Sequence, residues 1–181
     1  MSKVIDILTR LFDDKFIEKS HITIDEPAEK MSRLILKSPS LPDENILVCR
    51  LDQNQNPKVT DMFPYLRGDS TARGLKGMKR ICDYAIFVDK GNKVFVLLIE
   101  MKKGDDSPQE QLNVTEPLIE FIFERARILK HLVVDYEIRK IGITDKAEKR
   151  TTSDRGDTDY NQDKYVKLYQ NKRFYLHRML H

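Results

Sequence analysis

Asp83, Glu100 and Lys102 are the residues of this chain whose types and spacing promise chemistry. In an extended strand, residues two apart share a face, so Glu100 and Lys102 project together where the apolar run Val94-Phe95-Val96-Leu97-Leu98-Ile99 ends. Residues 81–88 form a second strand-like run, and Asp89-Lys90-Gly91-Asn92 between the two is turn chemistry. A hairpin with Gly91 or Asn92 in the left-handed turn position pairs residues whose numbers sum to about 181–183. That register sets Asp83 opposite residues 98–100, and the carboxylates of Asp83 and Glu100 converge.

Two carboxylates and an ammonium at the end of an apolar strand are costly as bare structure, because ionised groups near a core need partners. A hard divalent cation, Mg²⁺ or Mn²⁺, compensates such a set and keeps positions open for water and a phosphate. Lys102 then has a role: it orients or helps deprotonate the attacking water, or stabilises charge developing on phosphorus. The expected chemistry is metal-dependent phosphodiester hydrolysis, and the plain structural alternative is a sheet-edge ion pair between Glu100 and Lys102. Asp13-Asp14-Lys15 satisfies the same tripeptide pattern in a helical context. The strand context, rather than the tripeptide, therefore singles out Glu100-Met101-Lys102.

Just before Asp83, residues 67–80 carry Arg67, Arg73, Lys76, Lys79 and Arg80 against a single acid, Asp69, with Gly68, Gly74 and Gly77 interspersed. Such a flexible basic loop brings cations to the mouth of the site, where a phosphate backbone would lie. The whole chain is only mildly basic, with a net charge of +3 and a pI near 8.7, which permits nucleic-acid binding without being its usual footprint.

A length of 181 residues suits one domain with a real core, so the chain is read as a single domain over 1–181. Its 40% apolar and 34% charged residues fit a globular protein with a heavily charged surface. No run approaches the roughly 20 apolar residues of a membrane span, and acids interrupt the start where a signal peptide would be apolar. A cytoplasmic protein with no membrane partner is expected. Cys49 and Cys82 lie in apolar runs without C-x-x-C spacing and read as small buried core residues. The four histidines show no metal-ligand spacing.

The elements that must position the site follow from hydrophobic periodicity. Val4, Leu8, Leu11 and Phe12 predict an amphipathic helix over 3–18 with Ser2 as N-cap. Residues 24–30 suggest a helical turn opening at Pro27, followed by a short apolar run at 34–36. A strand at 46–51 precedes the hairpin. Residues 109–132 read as a helix that Pro117 kinks or splits, 133–143 as a strand, 151–161 as a polar loop and 174–176 as a short last strand. The uniformly apolar run at 94–99 predicts a central strand covered on both faces, with flanking helices, in an α/β fold.

The stretch KRICDYAIFVDKGNKVFVLLIEMKKGDDSPQEQL, residues 79–112, resembles the PD-(D/E)xK nuclease superfamily. In that superfamily the acid and the E-x-K triple lie on adjacent strands of a restriction-endonuclease-like α-β-β-β-α-β core, a mixed central sheet flanked by helices. The close resemblance covers about a fifth of the chain, and the rest agrees only in the order of its elements. It implies that Asp83 and Glu100 are metal ligands, with the backbone carbonyl of Met101 as a third, and that Lys102 is the catalytic lysine. Gln111 is the implied counterpart of a glutamine on the following helix, with Gln109 less favoured. Some members add an acid from the first helix. Glu18 is the candidate here, beside the stripe of Val4, Leu8 and Leu11 at about 100° per residue, and Glu29 is its rival.

Two departures stand out: Cys82 replaces the proline before the aspartate, and Thr115 stands four residues after Gln111, where the recombination-exonuclease branch has a tyrosine. The implied function is Mg²⁺-dependent hydrolysis of DNA in prokaryotic or phage restriction, defence or DNA processing. A homodimer or larger complex is the assembly that cutting two strands invites. The alternative is a catalytically silent nuclease-fold protein serving as a nucleic-acid-binding or protein-interaction subunit.

Overall fold

The structure, a computed structural model, describes residues 2–18, 23–26, 31–36, 41–52, 80–103, 106–145, 166–169 and 174–180. In chain order the elements are α1 (Lys3–Leu11), β1 (Thr23–Glu26), β2 (Met31–Leu36), β3 (Ile46–Arg50), β4 (Tyr84–Asp89), β5 (Lys93–Lys102), α2 (Gln109–Ile128), β6 (Asp135–Thr144), β7 (Val166–Tyr169) and β8 (Phe174–Tyr175). Short 3-10 turns occupy Asp14–Phe16, Asp43–Asn45 and Leu176–Met179. The expected α/β class holds.

Five strands form the main sheet in the order β3-β4-β5-β6-β7. β3, β4 and β5 make an antiparallel meander, and β6 and β7 then add parallel to β5. The β4–β5 connection is short because Gly91 takes the left-handed conformation (φ 87°), its N–H held by Asp89 Oδ1 at 2.7 Å. The parallel step from β5 to β6 requires a long crossover, which α2 supplies.

β5 is buried along its length except at its two ends, and its alternate residues feed two separate cores. On one face, Ala85 and Phe87 of β4 and Val94, Val96 and Leu98 of β5 pack with Ile5 and Leu8 of α1 and Leu112, Ile119 and Phe123 of α2. The Phe87 ring lies 5.4 Å from that of Phe12 and 6.3 Å from that of Phe123. On the other face, Tyr84, Ile86, Leu97 and Ile99 meet Ile24 of β1 and the C-terminal residues Phe174, Leu176, Met179 and Leu180.

That arrangement corrects the expectation of helices flanking the sheet. Both described helices pack on one face, and the other is covered by β1 and the C-terminal segment, tied together through the small sheet β1-β2-β8. A strand buried on both faces requires two apolar covers, and either helix or sheet satisfies it.

Other differences have local causes. The first helix stops at Leu11 rather than near residue 18. Phe12 is already extended, and the Asp13 side chain accepts the Lys15 N–H to open a new 3-10 turn. Residues 23–26 are a strand that pairs antiparallel with β2 from Thr23↔Leu34 to Glu26↔Met31, and the helical turn expected from Pro27 lies outside the described residues. β2 accordingly begins before the apolar run at 34–36.

α2 continues through Pro117 without splitting, with the proline on its exposed side, and the helix ends at Ile128. β6 starts at Asp135, and β8 ends at Tyr175 because Leu176 begins a 3-10 turn. β7 was not expected, although Val166 and Leu168 alternate with Lys167 and Tyr169. The polar stretch at 151–161 lies outside the described residues. Among the described residues no helix is long and apolar enough to cross a membrane.

Truncating the shared aromatic should be costly: Phe87→Ala is expected to lower the unfolding free energy by about 3–5 kcal/mol in urea titrations.

Candidate active site

The β4–β5 register runs from Tyr84↔Ile99 to Asp89↔Val94, a constant sum of 183. One step further brings Asp83 opposite Glu100, at the upper end of the expected range. Ala85 and Phe87 on β4, and Val94, Val96 and Leu98 on β5, face the helix-covered core. By alternation Asp83, Glu100 and Lys102 share that face. Asp83 is buried and Glu100 has no exposure at all. On β6 the residue paired with Glu100 is Gly142, which puts no side chain beside the carboxylate.

The two acids are held by crossed contacts. Asp83 Oδ2 accepts the Met101 N–H at 2.6 Å, and Glu100 Oε2 accepts the Asp83 N–H at 3.2 Å. Lys102 Nζ lies 2.7 Å from Glu100 Oε1. The two groups form a charge-assisted ion pair. Burial pushes the Glu100 carboxyl up to about 7, with the Lys102 ammonium and the Asp83 N–H offsetting only part of that effect. The negative charge of Asp52 raises it further.

Asp52 was not anticipated. It follows the end of β3, and its N–H, with that of Leu51, points at the Asp83 carbonyl at 3.4 and 2.8 Å respectively. Its place before the run Gln53-Asn54-Gln55-Asn56-Pro57 makes it look like turn chemistry in the sequence. Only the pairing of β3 with β4 reveals it as a further charge near the acid pair.

Among the described residues no third acid, histidine or cysteine groups with Asp83 and Glu100 as a metal cluster. The available donors are two carboxylates and the Met101 carbonyl. Because the Met101 N–H faces Asp83, and the N–H and C=O of a strand residue point the same way, that carbonyl looks toward the same corner. Few, hard, oxygen-only donors suit Mg²⁺, which retains several waters. Two carboxylates and a main-chain carbonyl at one corner therefore fit the expected metal, which would share Glu100 with the Lys102 ammonium.

Glu18 does not join them. It lies beyond α1 rather than on it, its N–H donates to the Val48 carbonyl of β3 at 2.9 Å, and its charge acts on Cys49. Gln111 stands in the first turn of α2, partly exposed, four residues before Thr115 and so on the same helix face. Thr115 Oγ1 accepts the Cys82 N–H at 2.8 Å, which places this face beside Asp83; Gln109 is exposed. Arg80 pairs with Glu110 at 2.8 Å, anchoring the end of the basic segment to α2. Arg67, Arg73, Lys76, Lys79 and Glu29 lie outside the described residues. Cys49 and Cys82 are fully buried, and burial pushes both thiols well above their ordinary range, as core cysteines should be.

No family model, curated protein or solved structure matches the chain. The functional reading rests on the residues and their geometry.

A raised carboxyl favours the protonated form in the folded state. The stability Glu100 contributes is full below its ordinary value of 4.5 and is lost as pH rises through about 7. In metal-free thermal and urea melts, wild type should therefore lose roughly 2–3 kcal/mol relative to Glu100→Gln between about pH 4 and pH 8. A constant difference between the two proteins would mean that Glu100 ionises normally.

Proposed function

We propose that this chain is an Mg²⁺- or Mn²⁺-dependent phosphodiesterase acting on DNA. The observation that carries the reading is the convergence of Asp83, Glu100 and Lys102 at one end of the β4–β5 pair, with both carboxylates buried. Asp83, Glu100 and the Met101 carbonyl would hold the metal. When bound, the ion lowers the pKa of its water and neutralises charge on the phosphate. Lys102, partly exposed beside Glu100, is in position to orient the attacking water or to stabilise the phosphorane charge. In-line attack breaks the P–O3′ bond, leaving a 5′-phosphate and a 3′-hydroxyl.

The order α1, β3, β4, β5, α2, β6 is compatible with the α-β-β-β-α-β core of the PD-(D/E)xK superfamily, with β1 and β2 inserted after α1. This agreement supports the resemblance in the motif. The basic residues 67–80, immediately before Asp83, supply the charge that a phosphate backbone requires.

A second reading has its own support. Each carboxylate already accepts a main-chain N–H, so the pair also serves as a clamp between strands without any metal. A catalytically silent nucleic-acid-binding or protein-interaction subunit would keep that clamp.

Cleavage of plasmid, linear and single-stranded DNA with Mg²⁺ or Mn²⁺ separates the two. Asp83→Asn, Glu100→Gln and Lys102→Ala should each reduce cleavage by roughly 100-fold or more while the melts remain cooperative. Asp13→Ala, at the exposed first acid of the Asp13-Asp14-Lys15 tripeptide, should cleave like wild type. Undiminished cleavage by the Glu100 and Lys102 variants would rule the assignment out.

A further inference from the structure

Hydrogen-bonded and non-hydrogen-bonded pairs alternate along an antiparallel ladder. In the hairpin Lys90 donates its N–H to the Lys93 carbonyl at 3.0 Å, which makes 90/93 a hydrogen-bonded pair. With the register sum of 183, the next such pairs are 88/95, 86/97 and 84/99. The series calls next for Cys82 and Met101 to exchange N–H and carbonyl.

They do not. The Cys82 N–H goes instead to Thr115 Oγ1 at 2.8 Å, and the Met101 N–H goes to Asp83 Oδ2 at 2.6 Å. The Thr115 hydroxyl spends its own hydrogen on the Gln111 carbonyl at 2.7 Å, so it can only accept from Cys82. Thr115 is fully buried. The pairing of β4 with β5 accordingly ends at Tyr84↔Ile99, one residue short of the acids.

We infer that Thr115 is a positioning residue that opens the β4–β5 ladder at Cys82, releasing the Met101 carbonyl from its ladder donor and turning Asp83 toward the site. The inference rests on the metal-dependent reading above. Val at this position fills the same volume but accepts nothing, so the Cys82 N–H would return to Met101 and close the corner. The same hydroxyl fixes the first turn of α2, and with it Gln111, against the strand that carries Asp83. Thr115 touches no reacting atom and acts through Cys82, Asp83 and Met101.

Mn²⁺ affinity of the full chain, measured by isothermal titration calorimetry, tests this directly. Thr115→Val should bind Mn²⁺ roughly 10- to 100-fold more weakly than wild type, and Thr115→Ser, which keeps the hydroxyl, should recover affinity to within about threefold. Wild-type affinity in Thr115→Val, or a Thr115→Ser protein as weak as Thr115→Val, overturns the positioning role while leaving the metal site standing. A wild-type chain that binds no Mn²⁺ overturns both. An independent measurement needs no variant: in the wild type, Cys82 ¹⁵N and Met101 ¹³C′ should show no scalar coupling across a hydrogen bond. Detecting that coupling would overturn the proposal even if Thr115→Val failed to fold.

Discussion

A carboxylate with no solvent exposure at the end of the central strand is the constraint on which the rest of this structure depends. Glu100 belongs to β5, which pairs with a strand on each side and is covered on both faces, and its side chain has no exposure to water. What relief exists comes from two directions. The Asp83 N–H reaches it across the hairpin, and Lys102 reaches it from two residues along the same strand. These do not fully offset the burial, as the raised carboxyl shows.

The polar groups of the sheet divide between its two ends. At the end near residue 100 lie Asp83, Glu100, Lys102 and Asp52. At the other, Lys93 and Arg139 both pair with Glu137, and Arg139 donates to the Met179 carbonyl at 2.6 Å. That second cluster is structural, fastening the C-terminal cover of one face to β6. α2 is fastened as well: Lys140 of β6 reaches Asn113 and Glu116, Arg80 reaches Glu110, and Thr115 reaches Cys82. The helix therefore has little freedom to shift relative to the acids.

Local patterns in the chain were legible where one physical rule dominated. Gly91 turns the hairpin because only glycine takes φ 87° without strain, and Ser2 caps α1 by accepting the Ile5 N–H. The apolar run of β5 demanded a doubly covered strand. Legibility failed where one local signal competed with another. Asp13 ended α1 early, and Pro117 did not break α2. Glu18 was consequently placed on a helix that stops at Leu11.

The sequence by itself determined the hairpin, its register to within two residues, and the shared face of Glu100 and Lys102, because strand alternation is a local property of the backbone. It also determined that the strand bearing them would be buried. Only the tertiary structure decided what covers each face, that Asp52 sits near the acid pair, and that Glu18 does not. It alone decided that the ladder opens one residue before Asp83. That outcome depends on a hydroxyl 33 positions away in sequence, and no local pattern encodes which of two acceptors a backbone N–H will find.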